Sequence, residues 1–165
     1  MMDAPQDLIN TMLERIALID RSITGMAQAH PNFFNVPSAP PYPKALNRVS
    51  SIAVDVSRGE PLKVITVVIS KLIIAGAIGS GTTGEYEAAL NTLYLGLIAK
   101  YEGLPRLGHP VTKDPLSFVS PKGVSLGQFS GTIGLTLAND ENIRYFGAEI
   151  PITVRLLVQI GREAP

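Results

Sequence analysis

A Gly-rich turn at residues 76–84 is the stretch of this sequence best suited to bind a ligand. It joins an apolar segment to a segment with helical spacing, and backbone amides in such a turn can hold a phosphate. The turn lacks the Gly-Lys-Ser/Thr ending of a nucleotide P-loop, because Gly81 is followed by Thr82 and Thr83. Thr82 and Glu85 match the Thr-x-x-Glu capping box, which accounts for both residues without a ligand. Capping is therefore the preferred interpretation, and a small phosphate ligand is the alternative.

Other residue types that support catalysis or metal binding are sparse. The chain has no cysteine, which excludes disulfides, thiolate metal ligands and cysteine nucleophiles. Its two histidines, His30 and His109, have no acidic residue at ligand spacing, so we predict surface or helix-capping roles for them. The serines in the last third of the chain lie outside any Gly-x-Ser-x-Gly motif. We therefore predict no catalytic residue, no metal site, no cofactor and no enzymatic activity.

The elements around the turn define the fold class. Residues 64–74 are almost continuously apolar and β-branched, as in a central strand that is covered on both faces. Residues 85–101 place apolar side chains at helical spacing, and residues 5–29 do the same from Ile9 to Met26. We expect this first helix to end before Pro31.

Three further strands are predicted. Residues 49–56 alternate Ile52, Val54 and Val56 with polar or small residues, which predicts a half-buried strand antiparallel to residues 64–74. Residues 124–138 and 150–160 form the arms of a hairpin with its turn at residues 139–142. In the second arm Pro151 is expected at the strand start. The predicted fold is α+β, with a mainly antiparallel sheet of about four strands and two helices on one face.

Two proline-rich segments separate these elements. Residues 31–48 form an arm with Pro31, Pro37, Pro40, Pro41 and Pro43, and residues 103–122 form a long loop. Proline stiffens both segments, and long loops in compact domains are usually functional or fixed by a partner. The aromatics of the arm pack either on this chain's own core or on a neighbouring subunit. The interface residues that we predict in the two segments are Phe33, Phe34, Tyr42, Arg106, His109, Lys113 and Phe118.

Composition limits the possible partners. A length of 165 residues suits a single domain, residues 1–165, and only 17% of the residues are charged against 45% hydrophobic. This low charge suggests that partners cover part of the surface. The net charge is zero without a basic cluster, so nucleic-acid binding is not expected. The N-terminus lacks the pattern of a signal peptide, and the apolar run at residues 64–78 is too short to span a membrane.

The order of these elements and several segments resemble the tail terminator proteins of long-tailed bacteriophages. The resemblance rests on the strand at residues 64–74, the acidic helix start Gly84-Glu85-Tyr86-Glu87 with its run to Tyr101, the exit Gly103-Leu104-Pro105-Arg106-Leu107, and the closing strand at residues 145–154. It implies a homo-oligomeric ring, commonly a hexamer, that stops polymerisation of the tail tube and joins the tail to the head.

The implied partners are other copies of this chain, the tail tube protein and head-tail connector proteins. The implied location is the neck of the virion, after synthesis in the host cytoplasm. Another neck, connector or minor tail role is the alternative within the same class. A small phosphate-binding domain that uses residues 76–84 is the alternative from a different class.

Overall fold

The computed structural model describes residues 5–32, 41–55, 62–77, 83–137 and 140–159. Within these ranges the chain forms two helices and six strands, which agrees with the predicted α+β class. In chain order they are α1 (Pro5–Arg21), β1 (Gln28–His30), β2 (Lys44–Asp55), β3 (Leu62–Ala77), α2 (Thr83–Gly103), β4 (Val119–Leu126), β5 (Ser130–Leu137) and β6 (Asp140–Gln159).

The six strands form one sheet in the order β1-β2-β3-β6-β4, and β5 pairs with β6 beyond the end of β4. β3 lies between β2 and β6 and is antiparallel to both, which confirms the prediction of a central strand at residues 64–74. β1 runs parallel to β2, so the sheet is mixed. The prediction of about four strands was too low because the three-residue β1 is too short for an alternation signal, and because residues 124–138 belong to two strands.

Both helices pack on one face of the sheet, as predicted. Side chains at alternate positions of β3 and β6 point to this face and form the main core with the apolar stripes of α1 and α2. From β6 the core includes Ile150, Ile152, Val154, Leu156 and Val158, which are all at most 5% exposed. The alternation predicted for the last strand is therefore confirmed as far as Val158, and its buried face lies under the helices. The last predicted position, Ile160, lies outside the described residues.

The opposite face of the sheet has a smaller apolar cluster at one end. Leu46, Leu72, Ile74 and Tyr145 are buried there, and the half-buried Tyr42 packs against them. The rings of Tyr42 and Tyr145 lie 6.1 Å apart between centroids. The Lys44 ammonium lies 4.8 Å from the centroid of the Tyr42 ring, within the range of a cation–π interaction.

Pro151 lies in the middle of β6 and not at a strand start, so that prediction was wrong. The strand begins ten or so residues earlier than expected because Asp140 to Glu149 pair with β3 and β5. Pro151 is tolerated because its backbone faces the gap between β4, which ends opposite Ile152, and β5, which begins opposite Glu149. The Gly127 amide donates to the Pro151 carbonyl across this gap at 2.7 Å, and no partner there requires the missing proline N–H.

The first helix ends at Arg21, eight residues before the predicted end at residue 29. Ser22 follows and its hydroxyl donates to the Ile19 carbonyl at 2.6 Å, and Gly25 then adopts a φ of 92° that favours glycine. Ile23 and Met26 continue the apolar spacing because they pack on the core from this turn. The helical spacing of apolar residues therefore predicted correctly that Ile23 and Met26 pack on the core, but it did not predict their backbone conformation.

The second strand begins at Lys44, inside the segment that was assigned to the arm. Proline stops at Pro43, so the following residues have the amide donors that a strand requires. The antiparallel pairing with β3 is confirmed, but Ile52 and Val54 are 51% and 49% exposed and do not form the expected half-buried face. Both lie on the helix side of the sheet, beyond the area that the two helices cover.

We predict that Gly147→Ala destabilises the fold strongly. A Cβ at this position in β6 would lie 2.6 Å from the Ile73 carbonyl oxygen of β3, so a paired backbone would have to move. We expect a loss of roughly 1–3 kcal/mol in urea denaturation, as for other overpacked sites. Gly131→Ala is the matched control, because a Cβ there meets nothing within 4 Å, and equal losses in both variants would contradict this account.

Candidate functional site

The Gly-rich turn that could hold a phosphate lies mostly outside the described residues. Gly76 and Ala77 end β3, residues 78–82 are not described, and α2 begins at Thr83. The Thr82 half of the predicted capping box is therefore outside the described residues. A Cβ on Gly76 would lie 2.7 Å from the Tyr86 ring, so this glycine allows the start of α2 to pack closely on β3.

The long loop holds four of the predicted interface residues, and their polar groups bind the loop itself. Arg106 donates to the carbonyl oxygens of Ser117 and Val119 at 2.9 and 2.8 Å. The His109 Nδ1 accepts from the amides of Val111 and Thr112 at 3.1 and 3.2 Å. Lys113 donates to the Pro110 carbonyl, and Phe118 packs on the main core. The observed roles of these side chains are therefore structural within the loop.

The same loop is tied to α1. One nitrogen of the Arg15 guanidinium donates to the carbonyl oxygens of Leu107 and Asp114, at 2.9 and 2.8 Å. Arg106, Leu107 and Lys113 have positive φ values, a conformation that persists only when surrounding contacts fix it. A loop of this length is therefore held in one shape by hydrogen bonds rather than by regular structure.

Of the three interface residues predicted in the arm, only Tyr42 is among the described residues. Phe33 and Phe34 lie outside the described residues. Tyr42 lies on the opposite face of the sheet from the core that holds the loop, so the structure does not bring the predicted interface residues into one patch. His30, predicted to close the first helix, lies in β1, and its Nε2 is 3.0 Å from the Gln28 side-chain oxygen. Burial, Arg21 and Lys44 lower its pKa.

A fully buried polar network lies between the helices and the sheet, and no sequence motif indicated it. Its members, the buried tetrad, are Asp20, Asn47, Lys71 and Tyr101. The Lys71 ammonium forms a salt bridge with the Asp20 carboxylate and donates to the Asn47 side-chain oxygen at 2.7 Å. Tyr101 donates to the other Asp20 oxygen at 2.9 Å, and the Asn47 amide donates to Asp20 and to the His30 carbonyl. The tetrad thus connects α1, β2, β3 and α2.

Burial shifts the pKa of two members of the tetrad, Lys71 and Tyr101. Desolvation lowers the pKa of Lys71, and the Asp20 carboxylate partly offsets this effect. Desolvation and the same carboxylate raise the pKa of Tyr101 well above its ordinary value. Asp20 and Lys71 are both 0% exposed, so no substrate in solvent reaches them in this conformation. The arrangement is suited to cross-linking the core and not to acid–base chemistry.

Surface depressions in the described part of the chain are open and shallow. One, of about 340 Å³, lies on the helix-free face of the sheet, where the Ser70 hydroxyl donates to Glu149 and Arg48 is nearby. Among the described residues no group of three or more His, Asp or Glu side chains is placed to bind a metal ion. None of these features forms an enclosed pocket of the kind that holds a small substrate.

Two exposed surfaces of the described residues are better candidates for a functional site than these depressions. The outer edge of β2 pairs with β1 only at Lys44–Leu46, and no described strand pairs with residues 47–55 on that side. We call residues 47–55 the open edge; it exposes Ile52 and Val54. The outward face of α2 is also weakly polar, since residues 88–99 include no charged residue and Leu95 is 67% exposed. The sequence alternation identified Ile52 and Val54 but predicted a half-buried strand face, and Leu95 was not part of the predicted helix stripe.

No protein-family model matches this chain, and no curated protein sequence matches it significantly. In the described ranges, no helix has the length and apolar character that crossing a bilayer requires.

We predict that Lys71→Met destabilises the fold by about 3–5 kcal/mol, because it leaves the Asp20 carboxylate buried without its cation. Adding Asp20→Asn removes the second charge and should recover part of that loss. Urea denaturation measures the free energy of unfolding of the wild type, Lys71→Met and the double variant. Lys63→Met is the control on the same strand, where the side chain is only half-buried. Similar losses for Lys63→Met and Lys71→Met would show that the tetrad has no special energetic role.

The raised pKa of Tyr101 predicts a loss of stability in alkali. The folded chain retains this phenolic proton above pH 10, where the unfolded chain releases it, so the contribution is complete below about pH 10 and declines above it. The lowered pKa of Lys71 acts in the opposite direction up to its ordinary value of 10.5. Tyr101→Phe retains Lys71 and should therefore lose less stability above pH 10 than the wild type. Parallel pH curves from denaturation would contradict this prediction.

Proposed function

We propose that this chain is a non-catalytic structural subunit that assembles with copies of itself into a ring. The open edge of β2 is the observation that carries this proposal. Unpaired strands at a sheet edge present backbone donors and acceptors, and monomeric proteins usually protect them with proline, lysine, bulges or a covering segment. The open edge has one bulge, at Ser50, but it contains neither proline nor lysine, and it exposes Ile52 and Val54 beyond the bulge. It is therefore suited to contact with another chain.

The buried tetrad supports a structural role from inside the protein. Its ionisable groups pair with one another away from solvent, so they stabilise the relative position of helices and sheet rather than act on a substrate. The long loop supports the same role, because hydrogen bonds from Arg15 and Arg106 hold it in one conformation. A preorganised surface loses little conformational entropy when it binds a partner.

The resemblance described above leads to the more specific proposal that the ring is a phage tail terminator. In that role it would cap the tail tube, contact head-tail connector proteins and belong to the neck of the virion. The α+β order and the central strand β3 are compatible with this role, but they define a fold rather than a function. Another neck, connector or minor tail role shares the assembly chemistry and is the alternative.

We predict that the purified chain forms closed rings, commonly with six times the 17.6 kDa mass of one chain. Native mass spectrometry and negative-stain electron microscopy measure subunit number and closure. Rings that bind the ends of tail tubes and stop their growth would support a terminator. Rings that bind a connector but not tubes would favour another neck role, and a chain that stays monomeric up to high micromolar concentration would contradict the ring.

A further inference from the structure

The open edge ends in a combination of apolar and acidic groups. Ile52 and Val54 are about half exposed on one face of β2, and the exposed Asp55 ends the strand. The strand is bulged at Ser50, whose hydroxyl donates to the Val68 carbonyl, and beyond this bulge both faces of β2 are exposed from Ser51 to Asp55. This end of β2 is therefore a ridge with an apolar side and a carboxylate at its end.

A groove of about 380 Å³ lies on α2 and the turn after α1, and we call it the α2 groove. Its lining includes Ile23, Thr92, Gly96 and Ala99. Gly96 allows α2 to pack closely on the turn after α1, since a Cβ there would lie 3.2 Å from the Ile23 side chain. The small side chains leave room for an inserted ridge, and the adjacent Leu95 adds exposed apolar surface.

The charges of the two surfaces are complementary. Lys100 and Lys113 line the α2 groove, and no lining residue carries a carboxylate. The neighbouring Glu102 lines a different depression, on the side of α2 that faces β4. Asp55 at the end of the ridge supplies the opposite charge. Complementary charges orient an encounter and oppose other registers.

We infer that the ridge of one subunit, Ile52 to Asp55, inserts into the α2 groove of the next subunit in the ring. This inference rests on the proposed function, because it needs a second copy of the chain. Ridge and groove are different surfaces of one molecule, so the contact is head-to-tail and can repeat until a ring closes. On the other side of the sheet, β4 is a poor acceptor, since Pro121 and the positive φ of Lys122 interrupt it.

Two variants that each block one surface test this contact. Ile52→Thr with Val54→Thr removes the apolar ridge but keeps β-branched side chains, and Ala99→Arg fills the groove from an exposed helix position. We expect each variant alone to need a roughly tenfold or higher concentration to assemble, a typical effect of truncating central interface residues. A mixture of the two retains one intact ridge and one intact groove. It should therefore form a 1:1 heterodimer that does not grow.

The controls separate folding from assembly. Ile52→Val with Val54→Ile keeps the ridge apolar, and Thr11→Arg adds an arginine at an exposed position on α1. Both should assemble like the wild type in sedimentation velocity. Circular dichroism and urea denaturation should show unchanged folding for these four variants, because Ile52 and Val54 are about half exposed and Ala99 and Thr11 are exposed.

A charge exchange tests the orientation of the contact. Asp55→Lys and Lys100→Glu should each weaken assembly, and the double variant should recover it, with the effects reduced at high salt. If the ridge variant and the groove variant assemble like the wild type, the inference is overturned, but the ring proposal is not. Two disrupted variants that form no heterodimer when mixed would also overturn it. A wild-type chain that never assembles would contradict the ring proposal and this contact together.

Discussion

The Asp20–Lys71 salt bridge is the interaction on which the arrangement of the described elements depends. Its two charges are removed from solvent, a position that is stable only when each has a close partner and further hydrogen bonds. Asn47 and Tyr101 supply those bonds, and together with the pair they come from α1, β2, β3 and α2. A shift of α1 or β3 would separate the two charges, and a shift of β2 or α2 would remove a hydrogen bond to one of them. The network therefore fixes the positions of both helices on the sheet.

Outside this interior, four large apolar side chains are exposed, and their positions indicate which surface contacts another protein. The helix-facing residues of β3 and β6 are buried in the core, but Ile52, Val54, Leu95 and Val111 are exposed at the surface. Single exposed apolar residues are common in folded proteins, so an exposed Leu95 or Val111 does not by itself indicate an interface. Ile52 and Val54 differ because they lie at a strand edge that no other described strand pairs with. Apolar side chains beside an open strand edge favour protein contact.

Agreement between sequence and structure is best where one pattern has one physical cause. Residues 64–74 form the central strand that their apolar, β-branched composition predicted, and β6 alternates because one face of it lies under the helices. Agreement is weaker where a side-chain pattern continues through a change of backbone. Ile23 and Met26 kept the helical spacing after α1 had ended, and Ile52 and Val54 kept a strand alternation without a covering layer. Periodicity indicates which residues are apolar together and not what they contact.

The sequence by itself determined the α+β class, the central strand, the second helix and the absence of cysteine chemistry, because these follow from local patterns and composition. Only the tertiary structure decided that Asp20, Asn47, Lys71 and Tyr101 meet, since 81 positions separate Asp20 from Tyr101 in the chain and no spacing rule connects them. It also decided that Pro151 faces a gap between two strands and that β2 has an open edge. Each of these depends on which segments become neighbours, and that is set by the packing of the whole chain rather than by any local stretch of it.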